Sequence, residues 1–405
     1  MGGGRGAAGR FGSRLWTARV LGLVLSRGPG FAHVFAHGPG VGAEGTPRRP
    51  AGHVARLQCG AGCGADNVVG ENEGVRAGER ACAETYTSRC RPDGDALTMT
   101  RFQERLHGVI PALLTPLTAD LAVDGPAMRR LARRVLDAGC HGYVLLGTTG
   151  EFAAINDDQR AVAIRAGVEE ADGDVPVIVA CGQPCVERTH QQAVQAGDLG
   201  ADGLLVNPPF YFPMSNDEVV RYFEDLVAAS PVPVLLYNIP GMTKVSVDAA
   251  TLLRLRDVGV QGTKDSSGSP QNLLDYLDAM RGDDFRVIVG GDATLLHALS
   301  SGAAGTTGPA PNVAPQLVCA IYNAWCDGDL AAAAAAQNRQ HAFLRELSGA
   351  SPFMQATAKG VLSRLGIMEP WVAPPKTSLD DAAIDEAFEA VKEFLPEYEP
   401  AAVGV

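Results

Sequence analysis

Residues 232–268 read VPVLLYNIPGMTKVSVDAATLLRLRDVGVQGTKDSSG, and they form one strand–helix–strand unit in miniature. The first run is continuously apolar and stops at Pro240-Gly241; an amphipathic helical pattern follows, and a second short β-type run ends in the turn-forming Asp-Ser-Ser-Gly. A continuously apolar strand implies a sheet covered on both faces, and two strands joined through a helix run parallel.

Working outward, the same unit recurs. GVIPALLTP (108–116), YVLLGTTGE (143–151), VPVIVACG (175–182) and GLLVNPP (203–209) precede it; FRVIVGGD (285–292) and AAGTTGPAP (303–311) follow. Counting VPVLLYNIP and VQGTKDSS, this predicts eight strand–helix units between residue 108 and about residue 328. Met128, Leu131 and Val135 give the first helix an apolar face, and Asn156 caps a helix running to about Ala171. Eight units over roughly 220 residues fit a closed (β/α)₈ TIM barrel better than an open doubly wound sheet. No G-x-G-x-x-G follows the first strand, which weakens a dinucleotide-binding reading. Three further helical patterns, Leu330–Leu347, Phe353–Leu365 and Asp380–Phe394, read as a C-terminal appendage. The domains expected are therefore 99–328 for the barrel and 329–398 for the appended helices.

Residues 1–98 differ in character. They are rich in Gly, Arg and Ala, contain no Lys, and show no sustained apolar period. The first 43 residues contain no Asp or Glu, a composition like that of an organellar transit peptide. The competing reading, favoured because the bias continues to about residue 98, is a mis-set start with translation beginning at Met99. Either way this extension is expected to be disordered.

The net charge is −12, and it is uneven: residues 1–98 carry twelve Arg against eight Asp and Glu, so +4, leaving −16 for the remainder. An acidic body argues against a nucleic-acid surface. No apolar run approaches bilayer length, so no membrane partner is expected. Nine cysteines without paired spacing fit reduced thiols and a cytoplasmic location, with an organelle as the alternative if residues 1–43 are a transit peptide. Cys59/Cys63, Cys82/Cys90 and His33/His37 lack a zinc-ribbon or finger pattern, and no metal is expected.

In such a barrel the chemistry sits at the carboxyl ends of the strands. Those ends carry Gly147, Thr148, Thr149 and Glu151; Asn207 to Tyr211; Tyr237-Asn238; Lys264-Asp265; Gly290 to Asp292; and Thr306-Thr307. The chain has only five lysines (244, 264, 359, 376, 392), and Lys264 is the one at a strand end. Taken alone, Lys264 reads as a solvated loop lysine, Tyr237 and Tyr211 as packing residues, and Thr148 and Thr149 as turn hydroxyls. Together they suit one reaction class. A desolvated lysine is partly neutral near pH 7 and condenses with the ketone of a 2-oxo acid. The resulting iminium is an electron sink, a phenol shuttles protons, and a Gly-Thr-Thr-Gly turn holds the carboxylate.

GTTGE at 147–151, YNIPG at 237–241 and GTKDSSG at 262–268 resemble the dihydrodipicolinate synthase / N-acetylneuraminate lyase family of Schiff-base aldolases, with a likeness running from Leu106 to about Pro396. By that resemblance Lys264 is the Schiff-base lysine, Tyr237 the catalytic tyrosine, and Thr148 and Tyr211 its proton-relay partners. Thr149 resembles the carboxylate-binding hydroxyl, and Gly147, Thr307, Met242 and Gly290 complete the expected substrate-binding set. The resemblance also implies a homotetramer, in some members with a tyrosine contributed across a tight dimer, and no cofactor beyond the covalent lysine adduct.

Two departures bear on specificity. Dihydrodipicolinate synthases carry, at the place of Met242, an arginine that grips the second substrate's carboxylate. Asp157, Arg160 and Pro184 stand where that enzyme binds feedback lysine. The reading is thus a pyruvate-dependent aldolase or lyase acting on a 2-oxo-3-deoxy acid, with a 2-oxo acid and an aldehyde as its small-molecule partners. The alternatives are 4-hydroxy-tetrahydrodipicolinate synthase, a deoxy-oxo sugar-acid dehydratase, and a non-catalytic ligand-binding barrel.

Overall fold

The computed structural model describes residues 100–349 and 351–398. The readings made on residues 1–98 and the start at Met99 lie outside the described residues. Eight parallel strands form one sheet: β1 (Gly108–Val109), β2 (Tyr143–Leu145), β3 (Val177–Cys181), β4 (Gly203–Val206), β5 (Val234–Asn238), β6 (Gly262–Asp265), β7 (Arg286–Val289) and β8 (Gly305–Thr306). From β2 to β8 each strand pairs with its neighbours in sequence, and β1 pairs with β8, in the order β1-β8-β7-β6-β5-β4-β3-β2.

The cylinder closes between the first two strands through residues just beyond β1. Val144 N–H donates to Pro111 C=O at 2.8 Å, and Leu113 N–H donates to Val144 C=O at 2.9 Å. The run GVIPALLTP, predicted as one strand, is regular only over its first two residues. Pro111 has no N–H to give a ladder, yet the flanking N–H groups of Ile110 and Ala112 still reach Thr306 and Gly308 carbonyls on the β8 side, each at 3.0 Å. The protein is a (β/α)₈ TIM barrel.

Alternation along the strands separates two apolar cores. Val144, Ile178, Ala180, Leu205, Leu235, Tyr237 and Ile288 pack together inside the barrel, whereas Leu145, Val179, Leu204, Val206, Leu236 and Val287 pack outward against the helices. A short helix not foreseen from the sequence, α1 (Arg101–Arg105), precedes β1, with Thr100 and Gln103 forming a capping box. Its Phe102 and the following Leu106 join the inner cluster. Gly203 makes room for this plug, because a Cβ there would lie 2.4 Å from the Phe102 ring.

The helices between strands start where the caps predict. Asp124 accepts from Ala127 N–H at 2.9 Å to begin α2 (Gly125–Asp137), which buries Met128, Leu131 and Val135. Asn156 accepts from Gln159 N–H at 3.0 Å to begin α3 (Asp157–Ala171). Then come α4 (Val186–Asp198), α5 (Asn216–Ala229), a single turn α6 (Pro240–Thr243), α7 (Ala249–Asp257), α8 (Pro270–Ala279), α9 (Leu295–Ser301) and α10 (Pro315–Cys326). The appended helices α11 (Leu330–Leu347), α12 (Met354–Arg364) and α13 (Asp381–Val391) lie within a few residues of the three predicted patterns. Among the described residues no helix is long and apolar enough to cross a membrane. Cys140, Cys181, Cys185 and Cys319 are free.

Candidate active site

The strand register builds the centre of the site. Leu235 points into the barrel, so two residues later Tyr237 does too, and Tyr237 is paired across the ladder with Lys264. Neighbours in register share a face, which brings the two side chains together: Lys264 Nζ lies over the Tyr237 ring, 4.5 Å from its centroid. Only 6% of Lys264 is exposed, and among the described residues Nζ has no hydrogen bond or ion pair. The Tyr237 hydroxyl in turn lies 3.3 Å from Thr148 Oγ1 on the turn after β2.

The next register pair holds this end of β6 in place. Asn238 donates from Nδ2 to Asp265 Oδ1 at 2.8 Å, and Asn272 donates to the same oxygen at 3.1 Å. Ser267 donates its hydroxyl to Asp265 Oδ2 at 2.9 Å, folding the DSSG turn back over the strand end. Asp265 therefore serves the architecture around Lys264 rather than reaching the cavity. Gly290 is likewise a packing position: its N–H donates to Asp265 C=O at 2.7 Å, and a Cβ there would fall 1.8 Å from Ser266 Oγ.

The Gly147–Glu151 turn is bracketed by two left-handed non-glycine residues, Leu146 (φ 57°) and Glu151 (φ 57°). Such conformations cost of order 1 kcal/mol or more each, and they persist only where surrounding contacts enforce them. Here the enforcing contacts come from the appended helices. Gln355 on α12 donates from Nε2 to Thr148 C=O at 3.2 Å, and Ala373 N–H donates to Glu151 Oε2 at 2.7 Å. The remaining Glu151 oxygen is paired with the buried ammonium of Lys359.

A cavity of about 600 Å³ opens beside Tyr237 and Thr148. The barrel contributes Phe152, Ala153, Ala154, Asn207, Phe210, Ile239, Met242 and Thr243; the appendage contributes Pro352 to Gln355 and Ala373 to Lys376. No local pattern in the sequence signals that this second segment walls the site. Asp292, just beyond β7, is 2% exposed and accepts from Ala310 N–H at 2.9 Å and from the Thr306 hydroxyl at 3.3 Å. Burial raises its pKa to about 6, against the opposing pull of those bonds and of the Lys264 charge.

The predicted site residues thus divide. Lys264, Tyr237 and Thr148 come together; Tyr237 and Thr148 line the cavity with Met242, which is 67% exposed, whereas Lys264 sits against the Tyr237 ring and is not among the lining residues. Thr149 and Gly147 lie on the bracketed turn, and Thr307 is buried at the end of β8 with its N–H on Val289 C=O at 2.8 Å. Tyr211 does not join them within one chain. It is 83% exposed, has φ 87°, and packs edge-on against Phe212 rather than lining the cavity.

Comparison with known proteins agrees with this geometry. A model of the dihydrodipicolinate synthetase family matches residues 105–394. The 4-hydroxy-tetrahydrodipicolinate synthase of Salinibacter ruber is 37% identical over 280 residues, covering 68% of this chain and 91% of that protein. The putative 2-dehydro-3-deoxy-D-gluconate aldolase YagE of Escherichia coli K12 is 30% identical over 278 residues, covering 68% of this chain and 92% of its own length. The crystal structure of YagE in complex with pyruvate superposes with a TM-score of 0.67 at 28% identity, over 71% of this chain and 98% of that one. The relatives are lyases, and the chain is a lyase that belongs to the dihydrodipicolinate synthetase family.

Proposed function

We propose that the enzyme is a pyruvate-dependent Schiff-base aldolase that makes or breaks a carbon–carbon bond of a 2-oxo-3-deoxy acid. The observation that carries this reading is the buried Lys264 ammonium, without an ion-pair partner among the described residues and against the Tyr237 ring. In the synthetic direction neutral Lys264 adds to the ketone of pyruvate and water leaves with a proton from the Tyr237 hydroxyl, giving an iminium. Loss of a methyl proton to the Tyr237 phenolate gives an enamine, whose carbon attacks the aldehyde. The new alkoxide takes a proton from the Tyr237 hydroxyl, and hydrolysis then frees Lys264 and the product. Cleavage runs the same steps backwards, Tyr237 removing the C4 hydroxyl proton. Thr148, at hydrogen-bond distance from Tyr237, is the group through which that proton is returned. The covalent iminium supplies the electron sink, so the reaction needs no metal or organic cofactor.

The assembly we propose is a homotetramer, in which Tyr211, exposed in the single chain, reaches the Thr148–Tyr237 pair of a second copy. The proposed location is the cytoplasm. A second reading, 4-hydroxy-tetrahydrodipicolinate synthase, is favoured by the name of the Salinibacter relative and opposed by Met242, which lines the cavity without any hydrogen-bond donor. Incubation with pyruvate and borohydride followed by intact-mass measurement tests the chemistry. One trapped pyruvate per chain is expected; an unmodified chain would leave a non-catalytic barrel as the better reading.

A further inference from the structure

Two formal charges line the cavity, and only one is available to a ligand. Glu151 is neutralised by Lys359 and also accepts from Ala373 N–H. Lys376 has no carboxylate partner among the described residues. Its Nζ is instead held 4.9 Å from the centroid of the Phe353 ring, on the wall formed by the appendage. Pro374 and Pro375 precede it and restrict the backbone that presents it. A cation over an aromatic face is positioned without being neutralised. Lys376 is exposed, and the rest of the wall is largely Phe, Met, Ile, Ala and Pro, so the ammonium stands at the solvent side of a cavity that offers an anion no other charge. Lys244 does not compete for this role: its Nζ donates to Gly241 C=O at 2.9 Å, and it does not line the cavity.

We infer that Lys376 is a specificity-determining residue that receives an anionic group at the far end of the aldehyde partner. The inference rests on the proposed aldolase reading and names its substrate class: an aldehyde long enough to run along the apolar wall from Tyr237 and end in a carboxylate or a phosphate. A lysine is a point charge without the planar fork of arginine, so it accepts either anion and imposes charge rather than shape. The reacting end of the aldehyde stays beside Tyr237, where the one cation, Lys264, is committed to the pyruvate adduct; the charge is accepted only at the opposite end.

The test pairs matched aldehydes with pyruvate: erythrose against erythrose 4-phosphate for the phosphate source, and hexanal against adipate semialdehyde for the carboxylate source. The wild-type enzyme should show a KM at least about tenfold lower for the anionic member of one pair, and that pair identifies the source. Lys376→Met should remove the advantage by raising that KM about tenfold, with kcat and the neutral aldehyde nearly unchanged. Lys376→Arg should restore most of it. Equal KM values within both pairs, or a Lys376→Met loss shared by neutral and anionic aldehydes, would overturn the inference. The borohydride-trapped pyruvate adduct, measured in each variant, separates the two failures: without an adduct the aldolase reading falls, whereas with an adduct and no charge preference only the role of Lys376 falls.

Discussion

The carboxylate of Glu151, on the turn after β2, is paired with the ammonium of Lys359 on α12, 208 residues further along the chain, and both are buried. Lys359 Nζ also donates to Trp371 C=O at 2.8 Å, and Glu151 accepts from Ala373 N–H at 2.7 Å. One charge pair thus links the strained turn that carries Thr148 to two segments of the appendage. The appended helices hold the catalytic turn in its left-handed conformation at Glu151, so they belong to the site and not merely to the fold.

Removing one member of this pair leaves the other charge without a partner in the interior. Lys359→Met should cost about 3–5 kcal/mol of stability, the usual penalty for breaking a buried pair. Replacing both partners, Glu151→Gln with Lys359→Met, should recover part of that loss because no uncompensated charge remains. Urea denaturation of the three proteins provides the comparison. A loss below about 1 kcal/mol in the single variant would mean that water reaches the pair.

Burial also decides which lysine reacts. Lys359 is fully enclosed and ion-paired, and Lys244 is hydrogen-bonded to its own turn, whereas Lys264 is buried with a free Nζ against Tyr237. Lys264→Ala should therefore abolish the borohydride-trapped pyruvate adduct. Tyr237→Phe should still form it, since the phenyl ring preserves the packing, but should lower turnover by about two orders of magnitude or more through loss of the proton shuttle. Peptide mapping that finds the adduct on Lys244 or Lys359 would sink the assignment.

A histidine pair makes the barrel acid-sensitive at its other end. His107 and His141 precede β1 and β2, with ring centroids 5.2 Å apart, and His107 Nδ1 lies 3.3 Å from the Tyr322 hydroxyl. Burial is the main cause of their low basicity, holding His107 at about 4 and His141 at about 3. A folded pKa below the unfolded value of about 6.5 means that the unfolded chain binds protons first. Their neutral forms therefore stabilise the fold fully above pH 6.5, and this contribution is lost as pH falls towards 4 and 3. Between pH 6.5 and 5 each should account for a loss of about 1–2 kcal/mol. His141→Gln should flatten that part of the stability profile measured by urea unfolding, and an unchanged slope would show that the ring is hydrated.

How much of this was legible depends on the distance over which each relationship acts. The strand–helix alternation is local, and it placed Tyr237 and Lys264 at adjacent strand ends; the register then made them neighbours. The caps at Asp124 and Asn156 are equally local. The Glu151–Lys359 pair and the wall formed by residues 352–376 are not, because helical periodicity reveals which face of α12 is buried but not which loop it is buried against. The burial of Asp292 is equally non-local, because it depends on Ala310 and Thr306, contributed by a different strand–loop segment. Motif position alone puts Tyr211 with the catalytic group, whereas in the single chain it has φ 87° and is 83% exposed.

Met242 should exclude aspartate semialdehyde as an efficient partner. That aldehyde is short, so its carboxylate must lie close to Tyr237 when its carbonyl is poised for attack, and Met242, which lines the same cavity as Tyr237, has no hydrogen bond to donate. A desolvated carboxylate needs a charge-assisted partner, best supplied by the bidentate fork of an arginine. Lacking one, the transition state should lose on the order of a thousandfold in kcat/KM. Lys244 is the nearest substitute in sequence, but its ammonium is engaged by Gly241 C=O at 2.9 Å on the exposed side of α6. Steady-state kinetics with pyruvate should therefore show poor turnover of aspartate semialdehyde and better turnover of polyhydroxy aldehydes of similar length. Met242→Arg should raise kcat/KM for aspartate semialdehyde by at least about tenfold while leaving the pyruvate adduct intact. Efficient turnover by the unaltered enzyme, abolished in Lys244→Ala, would instead show that the lysine swings inward, and would restore the synthase reading.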